Sequence, residues 1–164
     1  MTYSLLTGLV LFCFVSSITP GPNNLMLMAT GANFGARRAL PHASGIVLGF
    51  TFMIIAIGLG VAQLFEAYPV AHELLGGISV IYLIYLTYKT ATASTNLDSP
   101  EHTGKPITFW QAAAFQWVNP KAWTMALAAV TVYAPQPVTN TDVITVARIF
   151  GTINLPCISV WLVL

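Results

Sequence analysis

The chain has 164 residues, of which 56% are apolar and only 7% are Asp, Glu, Lys or Arg, against about 25% charged in a soluble domain. Six basic and five acidic side chains cannot cover a water-soluble globule of this size, so the expected solvent is largely lipid. A net charge of +1 without a run of basic residues lacks the electrostatic footprint of a nucleic-acid binder.

From the N-terminus, Met1 to Ser17 is apolar with no Lys or Arg before Arg37. A secretory signal opens with a basic region, so this segment reads as retained. Apolar stretches run Tyr3 to Phe34, Pro41 to Phe65, Leu74 to Tyr88, Ile107 to Tyr133 and Val143 to Leu164. At about 20 residues per crossing they predict an all-α, polytopic membrane bundle with five crossings. The first stretch would reach roughly 48 Å as one helix, but Thr19-Pro20-Gly21-Pro22-Asn23-Asn24 interrupts it, and prolines flanking a glycine cannot continue a helix. It is predicted as one broken crossing. Arg37 and Arg38 follow it, and Lys89 and Lys105 flank the loop after the third, whereas Glu66 to Glu73 and Ala134 to Thr141 contain no Lys or Arg. The basic loops belong in the cytoplasm, which predicts an external N-terminus and an internal Asn96 to Pro106 loop.

Offset by about 100 residues the two halves correspond: Pro20 and Pro22 break the first crossing as Asn119-Pro120 breaks the fourth, and Pro41-His42 opens the second as Thr141-Asp142 opens the fifth. Three crossings per half make the second half enter from the opposite side, a 3+3 inverted-repeat plan with broken first and fourth helices. On this plan residues 1–90 form the first repeat, 91–106 a cytoplasmic loop, and 107–164 two of the three helices of the second repeat. The counterpart of Leu74 to Tyr88 falls beyond Leu164, so the chain reads as truncated one crossing short of six.

The Asn119-Pro120 break lies about 11 residues into its crossing, roughly 16 Å deep and close to the bilayer midplane. Asn is a preferred N-cap and Pro suits the first helical position, which predicts a helix restarting inside the membrane with free N–H groups. Pro22-Asn23-Asn24 offers the same device, and Pro20 and Pro22 deprive the carbonyls of Ser16 and Ile18 of their usual donors. Two opposed half-helix ends suit a small zwitterion: N–H groups face a carboxylate, and freed carbonyls and Asn side chains face an ammonium. Lys121 sharpens this reading, because an ammonium at that depth needs a carboxylate, a carbonyl or water. The candidate substrate site is therefore Pro20, Gly21, Pro22, Asn23, Asn24, Asn119, Pro120 and Lys121. The bland alternative is a proline kink that shapes packing, with Lys121 snorkelling.

Arg148 and Asp142 are candidates for a charge or coupling role. Their six-residue spacing turns about 240°, so they do not pair on one helix. Arg148 needs a partner elsewhere or the interface, and Asp142 reads as a helix cap. Gly45, Gly49, Ala56 and Gly60, like Gly31 and Gly35, form small-residue stripes for close packing. Tyr82, Tyr85, Tyr88, Trp110 and Tyr133 read as interface anchors. His42, His72 and His102 lie in or beside loops without metal-ligand spacing. No hydrolase, metalloprotease or phosphate-loop signature is present, so neither an enzyme nor a cofactor is expected. Cys13 and Cys157 leave a second class open, an intramembrane thiol relay, although small buried hydrophobes explain both. An inactive or structural membrane fragment is the remaining alternative.

The run Thr19 to Asn24, then Gly35-Ala36-Arg37-Arg38-Ala39, Gly45-Ile46-Val47-Leu48-Gly49, Ile81 to Leu86 and Asn119-Pro120-Lys121, resembles the signature of the LysE/RhtB amino-acid exporters over nearly the whole chain. Lys105 to Trp110 is most similar to the cysteine and O-acetylserine branch. The resemblance implies a six-crossing exporter of the bacterial inner membrane that moves neutral or basic amino acids outward on the proton motive force, and the expected mechanism is alternating access. The expected partners are a small-molecule amino-acid substrate, protons as coupling ion and the lipid bilayer, with a homodimer as an open option. Pro20, Gly21, Pro22, Asn23, Asn119, Pro120 and Lys121 carry the implied site. Members usually continue for about a further helix, and Ile78-Ser79-Val80-Ile81 stands where a Gly-Ala pair is common.

Overall fold

A computed structural model describes residues 1–61 and 105–164, with positions 67, 70, 73, 74, 77, 81 and 84 between them. Helix α1 (Tyr3–Ile18) starts where the Thr2 hydroxyl accepts from the Leu5 N–H at 3.3 Å. It ends at Thr19, because Pro20 has no N–H to extend the ladder. Helix α2 (Pro22–Phe34) restarts with Pro22 in its first turn, and the two axes bend by 51° at the break. By length and composition the pair suits one broken span.

Gly35 closes α2 and opens the next helix. Its φ of +81° is accessible to glycine at little cost, and its N–H bonds the Gly31 carbonyl at 2.8 Å. Helix α3 (Ala36–Ala56) therefore begins five residues before Pro41, which lies inside it, and not at Pro41-His42. The Gly35 turn sets the start, where hydropathy alone pointed to the first apolar residue. His42 is accordingly a helical residue, 1% exposed, with Nδ1 3.0 Å from the Thr30 hydroxyl, and not a loop residue. A wider turn, Ile57–Val61, extends α3.

Helix α4 (Phe109–Phe115) opens with a capping box. The Thr108 hydroxyl accepts from the Gln111 N–H, and the Gln111 side chain accepts from the Thr108 N–H. A 3₁₀ turn, Gln116–Val118, leads through Asn119 to helix α5 (Pro120–Tyr133). Helix α6 (Asn140–Val163) opens with a second capping box, between Thr139 and Asp142. Among the described residues every element is helical.

α3 packs on α4 and α6, and α1 and α2 both pack on α6. The glycine stripe explains the first contact. A Cβ on Gly45 would stand 2.4 Å from the Phe109 carbonyl oxygen, and one on Gly49 would stand 2.6 Å from Ala113 Cα. Those pairings run α4 parallel to α3. Gly58 beside Val143 and Gly151 beside Thr51 run α6 antiparallel to it. The core joins α1, α3, α5 and α6. Phe150 stacks edge-on against Phe50 at 4.9 Å and Phe12 at 6.0 Å, with Leu9, Met53, Ala126 and Ala129 fully buried around them.

Ala36–Gly60, with mean hydropathy 2.1, and Asn140–Val163, with 1.6, are each long and apolar enough to cross a membrane. The expected fourth crossing is divided between α4 and α5, of 7 and 14 residues, each too short to span alone. In the expected third crossing Leu74, Gly77, Ile81 and Ile84 are helical and exposed. Tyr82, Tyr85, Tyr88, His72, His102 and loop residues 91–104 lie outside the described residues.

Candidate functional site

Each helix break releases backbone groups, and nearby side chains meet them in turn. At the first break the Ser16 carbonyl accepts from the Thr19 hydroxyl at 3.1 Å. The Ile18 carbonyl, which lost its donor to Pro22, accepts from the Trp161 indole of α6 at 3.1 Å. The Asn24 amide reaches back across the break to the carbonyls of Ser17 and Thr19, both at 2.9 Å. At the second break the Asn119 side chain caps α5, accepting from the Lys121 N–H at 3.1 Å. That bond takes the donor that would have served the Trp117 carbonyl, and the Trp123 indole N–H replaces it at 2.8 Å.

The two breaks are tied directly to each other. Asn23 and Gln116 exchange amide hydrogen bonds of 2.8 and 3.2 Å, and Gln116, 0% exposed, also donates to the Ala112 carbonyl. Lys121 Nζ donates to the Thr19 carbonyl at 2.8 Å, the Thr19 hydroxyl at 3.0 Å and the Pro20 carbonyl at 3.3 Å. The ammonium thus sits on the carbonyl end of α1, where the helix dipole is negative. Gly21 makes room for it: a Cβ there would stand 2.9 Å from Lys121 Cδ.

Between the breaks lies a cavity of about 30 Å³, lined by Ser17, Gly21, Asn24, Asn119, Lys121 and Asn154 among others. That volume is enough for water. The lining includes one ammonium and no carboxylate. The N–H groups of Asn23 and Asn24 precede the first backbone bond of α2, Leu25 N–H to Gly21 O, and so have no partner within their helix. Chemically, the arrangement offers a carboxylate one ammonium and the amino ends of α2 and α5, and offers an ammonium the carbonyls that now hold Lys121.

The structure brings together Gly21, Pro22, Asn23, Asn24, Asn119 and Lys121 at the cavity, with Pro20 contributing a carbonyl to Lys121 and Pro120 the start of α5. Arg148 and Asp142 do not join them. Asp142 belongs to the α6 capping box, and Arg148 is exposed on α6 beside Thr145 and Thr152. Cys13 and Cys157 are buried and free, and neither lines the cavity. Sequence reasoning missed Gln116, Trp123, Asn154, Trp161 and Ser17. The signal for Gln116 and Asn154 was available, since an amide inside an apolar span must find a partner or a ligand.

The family model for the LysE type translocator matches residues 14–161. Over 134 residues the chain is 31% identical to proteins named cysteine/O-acetylserine efflux protein from Escherichia coli (strain K12) and Shigella sonnei (strain Ss046). The same figure holds for the protein of that name from Escherichia coli O1:K1 / APEC. Each match covers 81% of this chain and 67% of the relative. No solved structure matches. The polar apposition of two broken helices in an apolar bundle and the family match over residues 14–161 agree: this chain belongs to the LysE type translocator family.

Proposed function

We propose that the chain exports amino acids or close derivatives, with neutral and sulfur-containing ones favoured, across the bacterial cytoplasmic membrane by alternating access. The relatives' names support the substrate class. The carrying observation is Lys121, whose ammonium occupies the α1 carbonyl end inside the cavity between the breaks. A substrate ammonium competes for those carbonyls, and the displaced Lys121 is then free to meet the substrate carboxylate. A substrate ammonium on those carbonyls displaces the Lys121 bonds that join α5 to the end of α1. Substrate entry is thereby linked to breaking the tie between α1 and α5. Coupling to the proton motive force, a sixth crossing, the 3+3 inverted plan and a homodimer complete the proposal; the family resemblance supports the first two, and the matched helix breaks support the third.

The test is uptake of labelled cysteine, threonine, leucine and lysine into everted membrane vesicles, energised and de-energised, beside Lys121→Ala. Saturable, energy-dependent uptake that the variant loses is expected. Wild-type kinetics in Lys121→Ala would overturn the role of the lysine, and no uptake of any amino acid by the wild type would overturn export by this chain.

A further inference from the structure

Most polar groups lining the cavity are already engaged, and the exceptions point to a ligand. Asn23 is paired with Gln116, Asn24 donates to two carbonyls, Ser16 donates to the Phe12 carbonyl, and Lys121 is held by Thr19 and Pro20. Ser17, 3% exposed on α1, has a hydroxyl without a partner among the described residues. Asn154, 4% exposed on α6, lines the same cavity, and its side chain makes no hydrogen bond among the described residues. A buried hydroxyl without a partner has lost its water hydrogen bonds with nothing to offset the loss. The Ser17 hydroxyl is the one buried side-chain polar atom without a partner among the described residues, and Asn154 lines the same cavity from another helix; a molecule bound between them would satisfy both.

We propose that Ser17 and Asn154 form the side-chain subsite of the cavity and hydrogen-bond a polar substituent on the β-carbon of a small amino acid: a hydroxyl, a thiol or an ester. The proposal rests on the export reading. The helix ends take the substrate's carboxylate and ammonium, which leaves these two groups for its side chain. Sites built to hydrogen-bond a substrate group discriminate strongly against an isostere that lacks it, because their own groups are then left unpaired.

The experiment compares serine with 2-aminobutyrate, which replaces the hydroxyl by a methyl, as labelled substrates in everted vesicles carrying wild type, Ser17→Ala or Asn154→Leu. Wild type is expected to prefer serine, and each variant to lower the serine to 2-aminobutyrate ratio of kcat/KM by about tenfold. Melting of the purified, ligand-free proteins in detergent supplies a second reading. Ser17→Ala is expected to melt no lower than wild type, since it removes an unsatisfied group. An unaltered ratio, or a lowered Tm with an unaltered ratio, overturns the subsite and leaves export standing. Absence of saturable uptake by wild type overturns the export reading and the subsite with it. If Asn154→Leu fails to fold, Ser17→Ala decides alone.

Discussion

Lys121 is expensive to keep within an apolar bundle, and three oxygens from one helix end offset that cost. The arrangement depends on Gly21 having no side chain. Its backbone is extended at φ −169°, a conformation open to any residue, so Gly21→Ala acts through contact with Lys121 alone. The added Cβ would stand 2.9 Å from Lys121 Cδ and 3.2 Å from Nζ. The lysine is flexible and swings aside, so Gly21→Ala is expected to slow vesicle uptake several-fold while shifting Tm little. Wild-type rates in this variant would show that the lysine's seat does not matter. At this scale the chain was readable wherever a residue acts on its own neighbours. Asn119 caps the helix that follows it, and Pro22 stands in the first turn of α2. Gln116 was not readable, because its partner Asn23 lies 93 residues away.

Among the helices, the glycines of α3 let α4, which leads into the second break, approach closely. Gly49 faces the Ala113 backbone, which cannot rotate away as a side chain can. Gly49→Ala is therefore expected to force the helices apart and destabilise the bundle by about 1–3 kcal/mol, measured as a lower denaturation midpoint in detergent. Gly8→Ala meets only the Tyr133 ring, at 3.1 Å, and is expected to cost less. Equal midpoints for the two variants would show that the stripe is not a tight contact. The stripe was legible as packing from its spacing. Its partner helix was not, since small residues at four-residue intervals accept any neighbour. The start of α3 was misplaced for a related reason: hydropathy marks what lipid accepts, while the Gly35 turn marks where the backbone reverses.

For the molecule as a whole, the antiparallel course of α3 and α6 and the parallel course of α3 and α4 fit alternating crossings. For their absolute orientation we propose that the Arg37-Arg38 pair lies in the cytoplasm, as the positive-inside rule favours. In a chain with Cys13 and Cys157 replaced by serine, Gln136→Cys is expected to react with an impermeant maleimide from outside intact cells. Arg38→Cys, at an exposed position like Gln136, is expected to react only after permeabilisation. Labelling with the opposite sidedness would invert the topology. The same cysteine-free chain is expected to retain uptake, whereas a thiol relay would lose it.

Composition and break positions sufficed for an apolar helical bundle, its two restarted helices and the eight residues that stand at those restarts, because each is a local consequence of solvent preference or of a missing proline N–H. Tertiary packing alone decided that the Lys121 ammonium, instead of awaiting an anion, rests on carbonyls 101 and 102 residues distant. It also decided that Trp161 and Trp123 take up the released carbonyls, and that Ser17, its hydroxyl without a partner among the described residues, lines one cavity with Asn154. Such pairings join groups far apart in the chain, and local propensity carries no information about which helix arrives at which break.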